Sequence, residues 1–145
     1  MKNSYSASDK TYAAAILDGE GWLYANRFKR KDNGHYCVQC RVGVANDSIS
    51  MLEWLKKSFG GSIHRQGPDK KTHTWCLTKM VEMLWFLKIV RPYIKIKGII
   101  ADTMIEFLEL RVDGIIDNHY SNKMSDKAIE LVHRIKELNT TRSYL

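Results

Sequence analysis

Between residues 35 and 45 the chain alternates with a period of two. Val38, Cys40, Val42 and Val44 fall on one side, and Cys37, Gln39, Arg41 and Gly43 on the other. Successive strand side chains point to opposite faces, so this pattern demands a sheet with one face on a core and the other polar. The run 22–31 before it is aromatic, cationic and non-helical, and Asp32-Asn33-Gly34 between the two carries turn chemistry. The pair therefore reads as a hairpin. Residues 62–66 and 72–77 flank Gly67-Pro68-Asp69-Lys70-Lys71 and read as a second one.

Helical spacing fills the rest. Asp9 offers an N-cap for a first helix carrying Tyr12, Ala13, Ile16 and Leu17, with Gly19 and Gly21 as its stop. Asp47 offers a cap for 48–58, with Ile49, Leu52, Leu55 and Phe59 inward and Gly60-Gly61 at its end. The Val81, Leu84, Trp85, Leu87 stripe makes 79–90 helical until Pro92, and 97–111 buries Ile100, Met104, Phe107 and Leu108. The tail holds one more helix at about 125–138, with 139–145 frayed, and Trp54, Trp75 and Trp85 belong to the core. The order predicts an α+β domain with an α-β-β-α-β-β-α core over residues 1–111. Its sheet is four-stranded and antiparallel with helices on one face, and 112–145 is a C-terminal helical extension of the same domain.

A chain of 145 residues has room for about one such core. Lys and Arg exceed Asp and Glu by 23 to 16, a net charge of +7, which favours a polyanionic partner. The longest apolar run, 83–87, is far short of the roughly 20 residues of a membrane span. Residues 1–9 lack the apolar centre of a secretory signal, and three cysteines do not form a disulfide framework, so an intracellular site is expected.

The uncovered sheet face collects Tyr24, Asn26, Phe28 and Arg30 from the first strand, with Lys29 beside them. Gln39 and Arg41 come from the second strand, and His64, Gln66, Thr72 and Thr74 from the second hairpin. Arg can fork onto guanine and Asn or Gln onto adenine, so these side chains suit the reading of base edges in duplex DNA, near which Trp22 also falls. A solvated face without a partner is the alternative. Cys37-Val38-Gln39-Cys40 and His73-Thr74-Trp75-Cys76 imitate a zinc spacing. Strand residues three apart point to opposite faces, however, and Cys40 reads better as core.

Ala13-Ala14-Ala15-Ile16-Leu17-Asp18-Gly19-Glu20-Gly21 resembles the signature of the LAGLIDADG homing endonucleases, with its small residues, aliphatics, two acids and glycine in order. Residues 42–61, VGVANDSISMLEWLKKSFGG, look like that family's second strand and helix. Residues 73–111, with Arg91-Pro92-Tyr93 and Ile94-Lys95-Ile96-Lys97, look like its close. The resemblance covers 11–111 and implies the family's fold. It also implies a metal-dependent, site-specific double-strand break in a long pseudo-palindromic DNA site, made by a homodimer because the motif occurs once. The two signature helices would then pack through Ala13, Ala14 and Ala15.

By the same resemblance Glu20, with the Gly19 carbonyl, would hold Mg²⁺ or another divalent cation, since hard oxygen donors suit such an ion. Lys97 would stand near the scissile phosphate, and Asn46 would join the water network, with helix capping as its other reading. Asp18 is expected to cap or hydrogen-bond within the helix interface rather than bind metal. An RNA-splicing maturase acting on intron RNA, or a non-cleaving DNA-binding protein, is the competing function on this fold.

Overall fold

The computed structural model describes residues 4–112 and 124–145. Part of the expected C-terminal extension, 113–123, lies outside the described residues. The elements follow in the expected order: α1 (Ala7–Glu20), β1 (Gly21–Lys29), β2 (Tyr36–Asn46), α2 (Ile49–Phe59), β3 (Ser62–Arg65), β4 (His73–Leu77) and α3 (Met80–Val90). A 3-10 turn (Arg91–Tyr93), α4 (Gly98–Val112) and α5 (Asp126–Thr141) complete the described chain.

The four strands form one antiparallel sheet in the order β1-β2-β4-β3. Gly21 stands opposite Val44 and Phe28 opposite Cys37, while Val42 and Val44 pair with Leu77 and Trp75 on the next strand. The Val38, Cys40, Val42, Val44 side of β2 is buried beneath helices, as the alternation requires. Trp22 lies across Gly43, its partner in register. A Cβ there would fall 2.4 Å from the indole ring, so only glycine accommodates the contact. Gly61, with φ +88, makes the turn from α2 into β3 that L side chains rarely adopt.

An aromatic cluster ties the elements together. Phe59 stacks on Tyr5 at 4.9 Å and meets Phe86 edge-on at 4.9 Å, and Phe86 meets Trp75 at 5.4 Å. The polar ends are paired, Tyr5 Oη donating to Ser58 O (2.7 Å) and Trp75 Nε1 to Gly60 O (2.8 Å). Ile100, Met104, Phe107 and Leu108 of α4 are buried as expected. Cys40 is core as well, with Sγ 3.2 Å from Met104 Sδ, and burial pushes its thiol up to about 12.

Several local expectations are corrected. Ser6, not Asp9, caps α1: its Oγ accepts from Asp9 N (3.0 Å), which puts the Asp9 charge in the first turn, where the helix dipole favours it. Ser48, not Asp47, caps α2, and Asp47 instead accepts from Thr72 Oγ1 (2.7 Å). Trp85 is 56% exposed and Val81 50%. The inward stripe of α3 is Met83, Phe86, Leu87 and Val90 with Leu84, because the helix is apolar nearly all round and its composition does not orient it. Tyr12 and Ile49 are likewise exposed, Tyr12 resting on Trp54 at 4.8 Å. Residues 139–141 are helical rather than frayed, since Asn139 Nδ2 donates to Leu23 O (2.7 Å). No helix among the described residues is long and apolar enough to cross a membrane.

Phe59→Ala is expected to cost about 3–5 kcal/mol in urea denaturation, because a fully buried ring packed against Tyr5, Trp54 and Phe86 leaves a cavity. The Cys40 thiol ionises at 9.0 in an ordinary setting and at about 12 when folded, so it adds stability below 9.0 that is lost as pH rises between the two values. The difference between wild type and Cys40→Ala in alkaline denaturation should follow that window.

Candidate functional site

α1 ends at Glu20, and β1 begins at the next residue, so the last turn of the helix stands at one end of the sheet. The final carbonyls of a helix lack partners within it. Here they are met by a side chain from far along the chain. Lys97 Nζ donates to Leu17 O (3.0 Å) and Asp18 O (2.6 Å), placing a cation at the negative end of the α1 dipole. The Asp18 carboxylate reaches the other way and accepts from the backbone N–H groups of Lys95 (2.8 Å), Ile96 (3.2 Å) and Lys97 (3.0 Å). It thereby caps the chain entering α4. Asp18 does hydrogen-bond, but to the entry of α4 rather than within the helix interface expected for it.

Lys97 is half-buried. Burial holds its ammonium below the ordinary lysine range, the Asp18 carboxylate pushes it back up, Arg142 pushes it down, and Glu20 pushes it up. Glu20, Lys97 and Arg142 thus share one local field. No sequence signal singled out Arg142. It arrives as the left-handed C-cap of α5, with φ 54. An ammonium has three donors, of which Lys97 uses two on described residues. Glu20 is exposed, and Gly19 has open space on its Cβ side. A carboxylate and a backbone carbonyl are hard oxygen donors that suit a divalent ion, though no group of three or more His, Cys, Asp or Glu is assembled among the described residues. Asn46 ends β2, two residues past the Gly21–Val44 pair, at the same end of the sheet. Its Oδ1 accepts from Ser48 N (2.8 Å), a turn in the loop entering α2 whose N-cap is Ser48 rather than Asn46.

The polar sheet face brings together most of the residues expected on it. Trp22, Tyr24, Gln39, Arg41, His64, Gln66, Thr74 and Cys76 line a groove of about 460 Å³. Gln66 Nε2 donates to Thr74 Oγ1 (2.6 Å), Ser62 Oγ bonds His64 Nε2 (2.8 Å), and with its amide turned so that the oxygen faces Arg41, Gln39 Oε1 accepts from Arg41 Nε (3.2 Å) and Nη2 (2.5 Å). Neighbouring side chains therefore hold one another in place. Asn26 and Phe28 continue the same face of β1, with Gln39 and Cys37 opposite them. Lys29 does not join it: strand alternation turns Lys29 to the other face, 5.9 Å from the Tyr36 ring that Arg27 also covers. Arg30 lies beyond β1 and pairs with Asp32 in the turn. Thr72 is drawn to Asp47. Cys37 and Cys40 point to opposite faces, so the zinc-like spacing does not converge.

The alanine expectation is split. Ala13 and Ala14 are fully buried in the chain's own core, while Ala15 is exposed. The uncovered face of α1 carries Ser8, Thr11, Tyr12, Ala15 and Gly19, a helical spacing of largely small side chains.

No protein-family model matches the sequence, and no curated protein matches it either. Solved structures do. The archaeal intron-encoded homing endonuclease I-Vdi141I, complexed with DNA, superposes with a TM-score of 0.72 at 16% identity, over 88% of this chain and 82% of that one. The homing endonuclease I-CvuI in complex with its target gives 0.70 at 16%, over 89% and 80%. The LAGLIDADG homing endonuclease I-SmaMI, bound to cleaved DNA, gives 0.70 at 12%, over 95% of this chain and 46% of that one. The chain has the LAGLIDADG homing endonuclease fold.

Asp18→Ala is expected to destabilise the protein by about 1–2 kcal/mol and to speed amide hydrogen exchange at Lys95, Ile96 and Lys97, which lose their common acceptor. Unchanged exchange there would contradict the capping role.

Proposed function

We propose that this chain is one half of a homodimeric, divalent-metal-dependent LAGLIDADG endonuclease that cuts both strands of a specific DNA site. The observation that carries the reading is the seating of Lys97 on the last carbonyls of α1, within the electrostatic reach of Glu20, two residues before Trp22 of the polar groove. A polar two-stranded ribbon fits the major groove, and the guanidinium and amides of Arg41, Gln39, Gln66 and Asn26 suit base edges there. Tyr24, Phe28, His64 and Thr74 complete the contact surface. The net charge of +7 favours the same partner.

Glu20 and the Gly19 carbonyl would hold the ion. Gly19 O accepts no hydrogen bond from a described residue, whereas Lys97 occupies the two carbonyls before it. When bound, a divalent ion would neutralise phosphate charge and activate water. Lys97, fixed by two carbonyls and with a donor to spare, would hold charge developing on the phosphate. Asn46 spends its oxygen on Ser48 N–H and keeps its amide hydrogens for a water. One protomer offers a single carboxylate to the ion, and a six-ligand ion needs more. A second copy, packed on the Ser8, Thr11, Ala15, Gly19 face of α1, would bring the partner's acid alongside. I-SmaMI, whose chain is about twice the matched length, has room for two such units.

Glu20→Gln should lower cleavage of a selected target in Mg²⁺ by at least about a hundredfold while leaving duplex binding intact, since a ligand to the ion is lost. Undiminished cleavage would overturn the assignment. Ala15→Glu should turn a dimeric mass in sedimentation into a monomeric one, and a monomeric wild type would remove the two-fold arrangement. If the wild type binds structured intron RNA more tightly than any duplex and never nicks DNA, the splicing function takes the place of the nuclease.

A further inference from the structure

The sheet ends on one side at β1, whose outer edge is flanked by α5. In an antiparallel ladder each residue turns its N–H and C=O to the same side, alternating along the strand. Leu23 O is held by Asn139, so Leu23, and Ala25 two residues on, both face α5. Beyond the Asn139 bond the two elements part, leaving a recess of about 310 Å³ lined by Tyr24, Ala25, Asn26, Lys136, Asn139 and Thr140. Tyr24 also lines the polar groove, so recess and groove adjoin.

The charges of α5 are distributed unevenly about this recess. Lys127 pairs with Glu106 (3.6 Å) and Arg134 with Glu137 (3.4 Å). Lys136, on the recess, makes no ion pair with a described residue. Thr140 Oγ1 is tied back to Lys136 O (2.9 Å) and one amide hydrogen of Asn139 goes to Leu23 O, so the lining residues that keep a side-chain donor are Lys136, Asn26, Tyr24 and Asn139. One unpaired cation flanked by neutral donors, with no carboxylate in the lining, suits a singly charged phosphodiester oxygen.

We propose that the recess between β1 and α5 seats a backbone phosphate of the duplex whose groove the sheet occupies, with Lys136 as its cation. The inference rests on the DNA-binding function above and gives α5 a part in it: base edges meet the sheet, while α5 grips the strand beside them. Such a contact holds the register of the protein on the duplex and carries no base preference.

The test is the salt dependence of binding by the full-length protein to its selected target and to a mixed-sequence duplex. Lys136→Gln should weaken both complexes by the same factor, roughly three- to tenfold near physiological salt, and lower the slope of log K against log salt by about one per protomer. Lys136→Arg should keep the slope, and Lys127→Gln, which removes a cation already paired, should leave it unchanged. A wild-type slope in Lys136→Gln, or an equal loss in Lys127→Gln, overturns the proposal. If Arg41→Ala still relaxes sequence preference in that case, the DNA-binding function stands without it. A wild type that binds neither duplex overturns both.

Discussion

The exchange between Asp18 and Lys97 is the interaction on which the rest of the site depends. Each side chain completes the backbone of the other's helix, the carboxylate at the start of α4 and the ammonium at the end of α1. Orphan helix ends lose free energy when they are taken from water without partners, so two ends meeting in one place need this reciprocity. Its consequence is chemical as well as structural. It fixes a cation beside Glu20 at the mouth of the sheet, half-buried, with its charge opposed by burial and by Arg142.

The sheet depends on a second constraint, that helices cover only one of its faces. Leu23, Ala25, Val38, Cys40, Val42 and Val44 turn to the covered side, and Tyr24, Asn26, Gln39 and Arg41 are left to the other. A half-covered antiparallel sheet can carry polar side chains in register without burying them, and adjacent strands set their spacing. Hydrogen bonds within the face, such as Gln66 to Thr74, restrain rotamers before any partner arrives. The exposed β1 edge is blunted by α5 through Asn139, which answers the general hazard of an unpaired strand edge.

Much of this was legible in the sequence because it is local. A period of two in β2, turn residues between the strands and helical spacing elsewhere led to the right element order, while the resemblance pointed to Glu20 through its signature segment and to Lys97 through the stretch after Arg91-Pro92-Tyr93. What misled was local as well. Ser6 and Asp9, or Asp47 and Ser48, are competing caps within a few residues, and only the approach of the chain selects between them. Lys29 is basic and sits among the expected contacts, yet one step along a strand reverses its face.

The sequence by itself determined the alternation of helix and strand, the polarity of each sheet face and the acid at the end of the first helix. These follow from periodicity and residue chemistry over a few positions. Tertiary structure alone decided which of three identical alanines is left uncovered, which side of the apolar α3 turns inward, and that α5 brings Lys136 to the sheet and Arg142 into the field of Lys97. A helix of uniform composition has no stripe to orient it, and residues more than a hundred positions apart meet only through packing, which no local pattern records.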